Sequence, residues 1–202
     1  MEIKIVEEAG LEGALIGMRF SFQNECPIED INTNLFDRHI VNYKSERIPT
    51  QTYKDYMSTA YKLCNKDGGH NKFLRCIHIQ AIIRAPLTWW KQMDQYKIGT
   101  TTLSKSTMHT IMRRPLTEDD FDTDKLWRDS IGFLNSGIKS REFEEVIDNL
   151  PGSFLQTRLW DGNYANVREI MLQRKKHKLG RYWDQFINSM NDQLKHPELL
   201  GV

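Results

Sequence analysis

The sequence predicts an α+β fold, a modest mixed or antiparallel sheet flanked by several helices. Two patterns point there. "FLRCIHIQAIIRA" (73–85) and "FLQTRLW" (154–160) alternate apolar and polar residues with the period of a half-buried strand, whereas other stretches repeat their apolar residues every three or four positions. Length completes the expectation, because 202 residues suffice for one domain, spanning 1–202, with a core that needs no staples.

Taken in order, "EIKIV" reads as a short opening strand, and "GLEGALIGMRFSF" fits neither period cleanly. The stretch "QNECPIEDINTNLFDRHIVNYKSERIPT" (23–50) has few periodic apolar positions and many turn formers, so a long loop with local structure is expected. "TYKDYMSTAYKLC" sets Tyr53, Met57, Ala60 and Cys64 at helical spacing, and "NKDGG" stops it. In the strand after it, Ile77, Ile79, Ala81 and Ile83 alternate with Cys76, His78, Gln80 and Ile82 up to Pro86, where a helix can begin. "TTTLSKST" (100–107) is rich in hydroxyls and reads as a loop. Thr117 fits an N-cap for a helical segment in "RRPLTEDDF". "DKLWRDSIGFLNSG" (124–137) and "SREFEEVIDNLPG" follow as amphipathic helices stopped at Gly137 and Pro151; "YANVREIMLQRKKHKL" and "RYWDQFINSMNDQL" are the last two.

Composition narrows the function. A net charge of +1 gives no global case for duplex nucleic acid, so any anion must be met by a local cluster. No window is apolar enough to span a bilayer, and the acidic start "MEIKIVEEAG" lacks the features of a signal peptide, so a cytoplasmic location is expected. Cys26, Cys64 and Cys76 are odd in number and form no C-x-x-C pair, which fits reduced thiols. No metal site is expected: no H-x-x-x-H or carboxylate cluster has ligand spacing. P-loop and dinucleotide glycine motifs are missing, and Ser104 and Ser106 lack a nucleophile-elbow context.

Two ungapped blocks resemble the flavin-dependent thymidylate synthases, in a divergent form like those of phage genomes. "GHNKFLRCIHIQAIIRAPLTWWKQ" is similar to that family's run from a Gly-His pair through a strand to Ala-Pro and a Gln, here Gly69, His70, Ala85, Pro86 and Gln92. "LPGSFLQTRLWDGNYANVREIMLQR" is similar to its Leu-Pro, strand, Asn, helix and Arg, here Leu150, Pro151, Asn163 and Arg174. The family signature R-H-R-x-x-S-x-N-E-x-S-x-R-Y is rewritten as "QYKIGTTTLSKSTM": Gln95, Tyr96 and Lys97 replace Arg-His-Arg, Thr100 replaces the first Ser, and Leu103 replaces the acid. Arg75 and Cys76 replace a Glu-His pair, and Ile147 stands where the family has an Arg.

The resemblance implies a homotetramer, with FAD bound between subunits. It implies reductive methylation at C5 of a deoxyuridine nucleotide, with folate and NADPH as co-substrates, or a related C5 modification such as hydroxymethylation. In a phage-encoded chain the location would be the host cytoplasm. His70, Tyr96, Lys97, Thr100 and Asn163 become candidate cofactor-binding residues; Gln92, Lys97, Ser104, Ser106 and Arg174 become candidate substrate-binding residues. None is assigned a catalytic role, since a flavin carries the difficult chemistry itself. Lys97 suits a phosphate because Gly99 and small hydroxylic residues follow it, though lysine lacks arginine's bidentate fork. The basic run Lys175–Lys178 after Arg174 could draw in an anionic nucleotide or folate, although such a cluster on a helix is more often a solvated face. Trp89 and Trp90 lie about 100° apart on a helix, so one can anchor it while the other meets a subunit or ring ligand, or both can fill core.

Two rivals accompany the enzyme. The degraded signature fits a protein that kept the fold and a nucleotide- or partner-binding role without catalysis. A nucleic-acid partner at the basic segment is a weaker third reading, and it requires steep salt dependence.

Overall fold

The computed structural model describes residues 1–22, 28–41, 44–66, 68–122 and 128–202. Its strands are β1 (Glu2–Ala9), β2 (Phe36–Val41), β3 (Lys44–Pro49), β4 (His78–Pro86), β5 (Thr101–Ser104) and β6 (Leu155–Asn163). Its α-helices are α1 (Leu11–Arg19), α2 (Gln51–Leu63), α3 (Leu87–Met93), α4 (Thr107–Thr110), α5 (Arg128–Ser140), α6 (Phe143–Asp148), α7 (Tyr164–Arg174) and α8 (Gly180–Gln193). The fold is α+β, as the periodicities predict, and its four-stranded sheet, in the order β1-β4-β6-β5, is antiparallel at every pairing.

β4 sets the layers. Ile79, Ala81, Ile83 and Ala85 have 0% exposure and form the covered face, while His78, Gln80, Ile82 and Arg84 alternate onto the other. The register His78↔Asn163 through Pro86↔Leu155 brings Trp160 opposite Ala81 on the covered side. Residues from α1, α2, α3, α7 and α8 close over this face, and Trp89, Trp90, Trp160 and Trp183 are all buried in it. Trp89 meets Trp90 edge-on at 4.9 Å and Trp183 at 5.2 Å, so both tryptophans of the "WW" pair fill core. A smaller apolar cluster joins Ile111, Leu116, Phe121, Leu134, Val146 and Phe154 beneath α5 and α6.

Several boundaries differ from the sequence expectation. The segment 10–22, which fits neither period, is helical over α1. Gly10 makes the turn from β1 with φ +92°, and a side chain there would lie 2.2 Å from the Cys76 carbonyl oxygen. Part of the expected 23–50 loop is the β2–β3 hairpin, paired antiparallel from Phe36↔Pro49 to Val41↔Lys44. Its polar composition hid the strand period, because a separate two-stranded ribbon is held by its backbone ladder as much as by a buried face. The hydroxyl-rich "TTTLSKST" contains β5, an edge strand whose side chains are mostly exposed and so show no apolar signal. The Thr117 cap is present, with Thr117 and Asp120 forming a reciprocal capping box, but the element it starts is a single 3-10 turn, Glu118–Asp120. α5 runs to Ser140, past Gly137. Cys26 and residues 124–127 of the expected helix lie outside the described residues. Among the described residues, no helix is long and apolar enough to cross a membrane.

Candidate functional site

The loop after α3 runs along α7, held by Arg174 at the helix's last residue and by Asn163 and Asn166 at its first turn. α3 stops at Met93, and Gln95, Tyr96 and Lys97 follow in tight backbone turns. Arg174, the last residue of α7, reaches across to them. Its Nε donates to the Tyr96 hydroxyl at 2.7 Å, and one Nη donates to the Gln95 side-chain carbonyl at 3.2 Å. Its guanidinium lies 5.2 Å from the centroid of the Tyr96 ring and 4.9 Å from that of Trp183, stacking geometry that suits arginine's planar, weakly hydrated head. The Tyr96 hydroxyl in turn donates to Gln173 Oε1 at 3.0 Å, and Gln173 donates to Glu169. Arg174 is therefore held on two sides, with its second Nη outside these bonds.

Asn163 sits at the other end of α7, where β6 becomes helix. It is buried, and its side chain accepts from the Asn166 N–H at 3.0 Å while Asn166 returns the bond to the Asn163 N–H at 3.2 Å. Asn166 also donates to the Ile98 carbonyl at 2.9 Å, which ties the loop after Lys97 onto α7. Gly99 takes φ +71° there, and a Cβ on it would lie 3.5 Å from the Asn163 amide nitrogen. Because the Asn163 oxygen serves the cap, its nitrogen is the end left to donate toward this loop.

Between the loop and the sheet edge lies a pocket of about 360 Å³ lined by Met93, Asp94, Tyr96, Lys97, Thr100, Thr102 and Trp160. Three of the residues singled out from sequence, Tyr96, Lys97 and Thr100, share it. Lys97 is exposed and has no carboxylate partner among the described residues, whereas Asp94 is paired with Arg158 at 2.8 Å. The Thr100 hydroxyl donates to the Tyr96 carbonyl, so it faces the pocket as an acceptor. The chemistry on offer is cationic and hydrogen-bonding. Lys97 supplies the ammonium of the lining, while the Arg174 guanidinium and the Asn163 amide lie outside it, on the α7 side of the loop; together they can bind and orient an anion or a heteroaromatic ring.

The remaining candidates lie apart. Gln92 is half-buried on α3. His70 is exposed on the turn before β4. Ser104 ends β5 opposite Arg158, and Ser106 caps α4 by accepting from the His109 N–H at 3.3 Å. His177, in the basic run after Arg174, accepts from the Leu179 N–H through Nδ1 at 3.1 Å and so belongs to the turn between α7 and α8. Among the described residues, no group of three His, Cys, Asp or Glu side chains is placed to hold a metal ion.

With this geometry in place, the chain can be compared with known proteins. It superposes on the flavin-dependent thymidylate synthase ThyX from Helicobacter pylori complexed with FAD and dUMP, with a TM-score of 0.72 over 99% of this chain and 98% of that one. The fold is ThyX-like. A second structure of that enzyme with FAD and dUMP gives the same TM-score, 0.72, over 99% and 97% of the two chains. Sequence identity is 14% in both comparisons, so the shared ThyX fold is carried by very few shared residues. No protein-family model and no curated protein matches the sequence.

Three participants around Arg174 were not among the candidates. Gln95 and Gln173 bind the Arg174–Tyr96 pair, and Trp183 supplies the shelf beneath the guanidinium. Trp183 reaches Arg174 across the break between α7 and α8, and helical spacing cannot connect residues on two helices.

Proposed function

We propose that this chain is a divergent, phage-type ThyX-like flavoprotein that binds FAD and a deoxyuridine nucleotide and catalyses reductive C5 methylation or a related C5 modification. The observation that carries this reading is that Tyr96, Lys97 and Thr100 share one pocket, on a loop held by Arg174 and Asn163 from the two ends of α7, in a ThyX-like fold. Bound FAD would supply the electron transfer and the carrier for the one-carbon unit, with folate and NADPH as co-substrates.

The residues present fit part of such a group. Lys97 and the Asn163 amide offer donors beside a loop that Gly99 opens for close approach, and the Tyr96 ring and Trp160 give the pocket apolar surface. A cavity of about 360 Å³ takes a portion of a dinucleotide, so the remainder must lie against another surface, and a second copy of the chain is the natural source. The open sheet face supports that assembly. Ile82 is 42% exposed and Leu103 64%, with Leu159 between them in register, an apolar row suited to a homo-oligomer, which we take as a tetramer. In this reading Lys97 neutralises a phosphate, Arg174 presents its unengaged Nη to the pyrimidine nucleotide, and Tyr96 and Gln95 fix that arginine's orientation.

A specific observation favours a second reading, a nucleotide-binding protein without catalysis. Leu103, where the family has an acid, is an exposed apolar side chain on an edge strand. The visible absorption spectrum of purified protein, with identification of any small molecule released on denaturation, separates the two. Stoichiometric flavin supports the enzyme reading. A colourless protein that takes up no added FAD yet binds dUMP transfers the assignment to the second, and loss of neither ligand's binding in Lys97→Ala with Arg174→Ala removes the site named here.

A further inference from the structure

A second pocket, of about 380 Å³, lies between the start of α1 and the β2–β3 ribbon, and the flavin reading uses none of its lining residues. Its walls come from distant parts of the chain. The turn out of β1 gives Leu11 and Glu12, the ribbon gives Phe36 and Arg47, α2 gives Tyr53, and the segment after α8 gives Lys195. An adjoining cavity of about 440 Å³ shares Glu12, Phe36 and Arg47, so these three stand where the two cavities meet. The size is that of a small-molecule site.

One wall is apolar and aromatic. Phe36 and Tyr53 pack with ring centroids 4.8 Å apart, and Leu11 and Ile77 continue the surface. The charges on the lining balance, with Glu8 and Glu12 against Arg47 and Lys195. A simple anion or a simple cation is attracted by one pair and repelled by the other, whereas a neutral molecule that carries both signs is matched.

The groups with capacity to spare are few. Arg47 lies 4.3 Å from the centroid of the Phe36 ring and donates one Nη to Glu12 Oε1 at 2.8 Å; its Nε and other Nη make no hydrogen bond among the described residues. Both members of that pair are open to solvent, 57% and 43% exposed, so water screens the bond and a ligand can share it. Glu12 keeps Oε2 for a donor. Glu8 is already engaged, accepting from the Tyr164 hydroxyl and the Lys195 N–H, each at 2.8 Å. The Lys195 ammonium reaches only the Glu8 carbonyl, at 3.5 Å, and His196 is turned to Glu198 through Nδ1 at 3.2 Å. The Tyr53 hydroxyl makes no hydrogen bond among the described residues. Burial, with Glu198 and Glu12 nearby, raises its pKa above the ordinary 10.0, so it stays protonated and can donate.

We propose that this pocket binds a free α-amino acid with an aromatic side chain. Arg47, Lys195 and the Tyr53 hydroxyl take its carboxylate, Glu12 takes its ammonium, and Phe36, Leu11 and Ile77 receive the ring. The site stands independently of the flavin reading. Because its walls join the separate β2–β3 ribbon to α1 and α2, an occupant fastens the ribbon to the body of the fold.

Calorimetric titration of the full chain with L-phenylalanine tests it, alongside 3-phenylpropionate, which lacks the ammonium, and 2-phenylethylamine, which lacks the carboxylate. One saturable site is expected for the amino acid, with each truncated form at least tenfold weaker. Arg47→Met keeps a stem over Phe36 and removes the guanidinium, and it should weaken binding about tenfold; Tyr53→Phe should weaken it severalfold. Arg47 is exposed and Tyr53→Phe retains the ring, so both variants keep the fold. Absence of saturable binding in the unaltered chain, a truncated form that binds as tightly as L-phenylalanine, or equal binding in Arg47→Met overturns the proposal.

Discussion

The two faces of the four-stranded sheet are made by the same strands and have different freedoms. On the covered face Ile79, Ala81, Ile83 and Ala85 meet four buried tryptophans, and each change of volume there is felt by close-packed neighbours. On the open face Gln80 donates to Asp161 at 2.8 Å and Arg84 pairs with Glu2 at 2.8 Å, bonds made along the surface, while His78 and Ile82 are exposed. The positions where this chain departs from the thymidylate synthase signature, Gln95 to Met108, run along the rim of the molecule, over the end of α3, an edge strand and the turn beyond it. A ThyX-like fold can therefore persist at 14% identity while the polar groups at its rim are rewritten.

The comparison breaks first at its packed side. Trp90 is fully buried, its N–H donates to the Gln156 carbonyl at 2.9 Å, and Arg158 lies 4.3 Å from its ring centroid. Trp90→Ala removes the ring, the bond and the surface on which Arg158 rests. A loss of about 3–5 kcal/mol is expected in urea unfolding. A loss below about 1 kcal/mol would show that this face is not the core.

At the rim the balance reverses, with ligand binding carrying the larger effect. Arg174 is half-buried and hydrogen-bonded to Tyr96 and Gln95, so Arg174→Ala is expected to cost about 1 kcal/mol of stability but at least tenfold in dUMP affinity. Tyr96→Phe retains the ring and removes the hydroxyl that accepts from Arg174 and donates to Gln173. It should give a smaller loss of affinity through misplacement of the guanidinium. Fluorescence titration of both variants orders the two, and equal affinities in the unaltered chain and Arg174→Ala would take the arginine out of the site.

Tyr164 joins the two sides. It begins α7 with a fully buried ring, yet its hydroxyl donates to Glu8 on β1 at 2.8 Å. Burial, reinforced by the bond to Glu8 and its charge, raises the phenol's pKa well above the ordinary value of 10.0. Folding therefore favours the protonated phenol: its contribution is fully present below pH 10 and falls as the unfolded chain's tyrosine ionises above it. Tyr164→Phe should cost about 1–2 kcal/mol at neutral pH and flatten the alkaline limb of the stability profile. An unaltered alkaline limb would assign that limb to other groups.

The same contrast explains what could be read from the sequence. The β4 alternation, the α2 face of Met57, Ala60 and Cys64, and the helix after Pro86 were legible because burial imposes a period on the residues that satisfy it. The β2–β3 hairpin and β5 were not, since an exposed ribbon and an edge strand are held by backbone hydrogen bonds that any side chain permits. Within the candidate site, Tyr96, Lys97 and Thr100 were found because they are close in sequence. Trp183 under Arg174 was not, because tertiary packing alone brings those two helices together.

The smallest expected effect gives the sharpest form of the comparison, because Ile82 and Ile83 are neighbours of identical chemistry on opposite faces of one strand. Ile83 has 0% exposure and Ile82 42%. Threonine keeps the branched Cβ that suits a strand, so each substitution exchanges mainly a methyl-bearing arm for a hydroxyl. At position 83 the hydroxyl must be buried among isoleucine, alanine and tryptophan side chains, and about 2–3 kcal/mol is expected to be lost. At position 82 water can solvate it, and the change should stay within about 0.5 kcal/mol for the isolated chain. Unfolding measured at low protein concentration reads these two values. Sedimentation at higher concentration then reads the open face itself: if a second copy covers the row of Leu103, Leu159 and Ile82, Ile82→Thr weakens association while leaving the isolated chain's stability in place. A chain that is monomeric with either residue would mean that the apolar row is open to solvent and would remove the proposed tetramer.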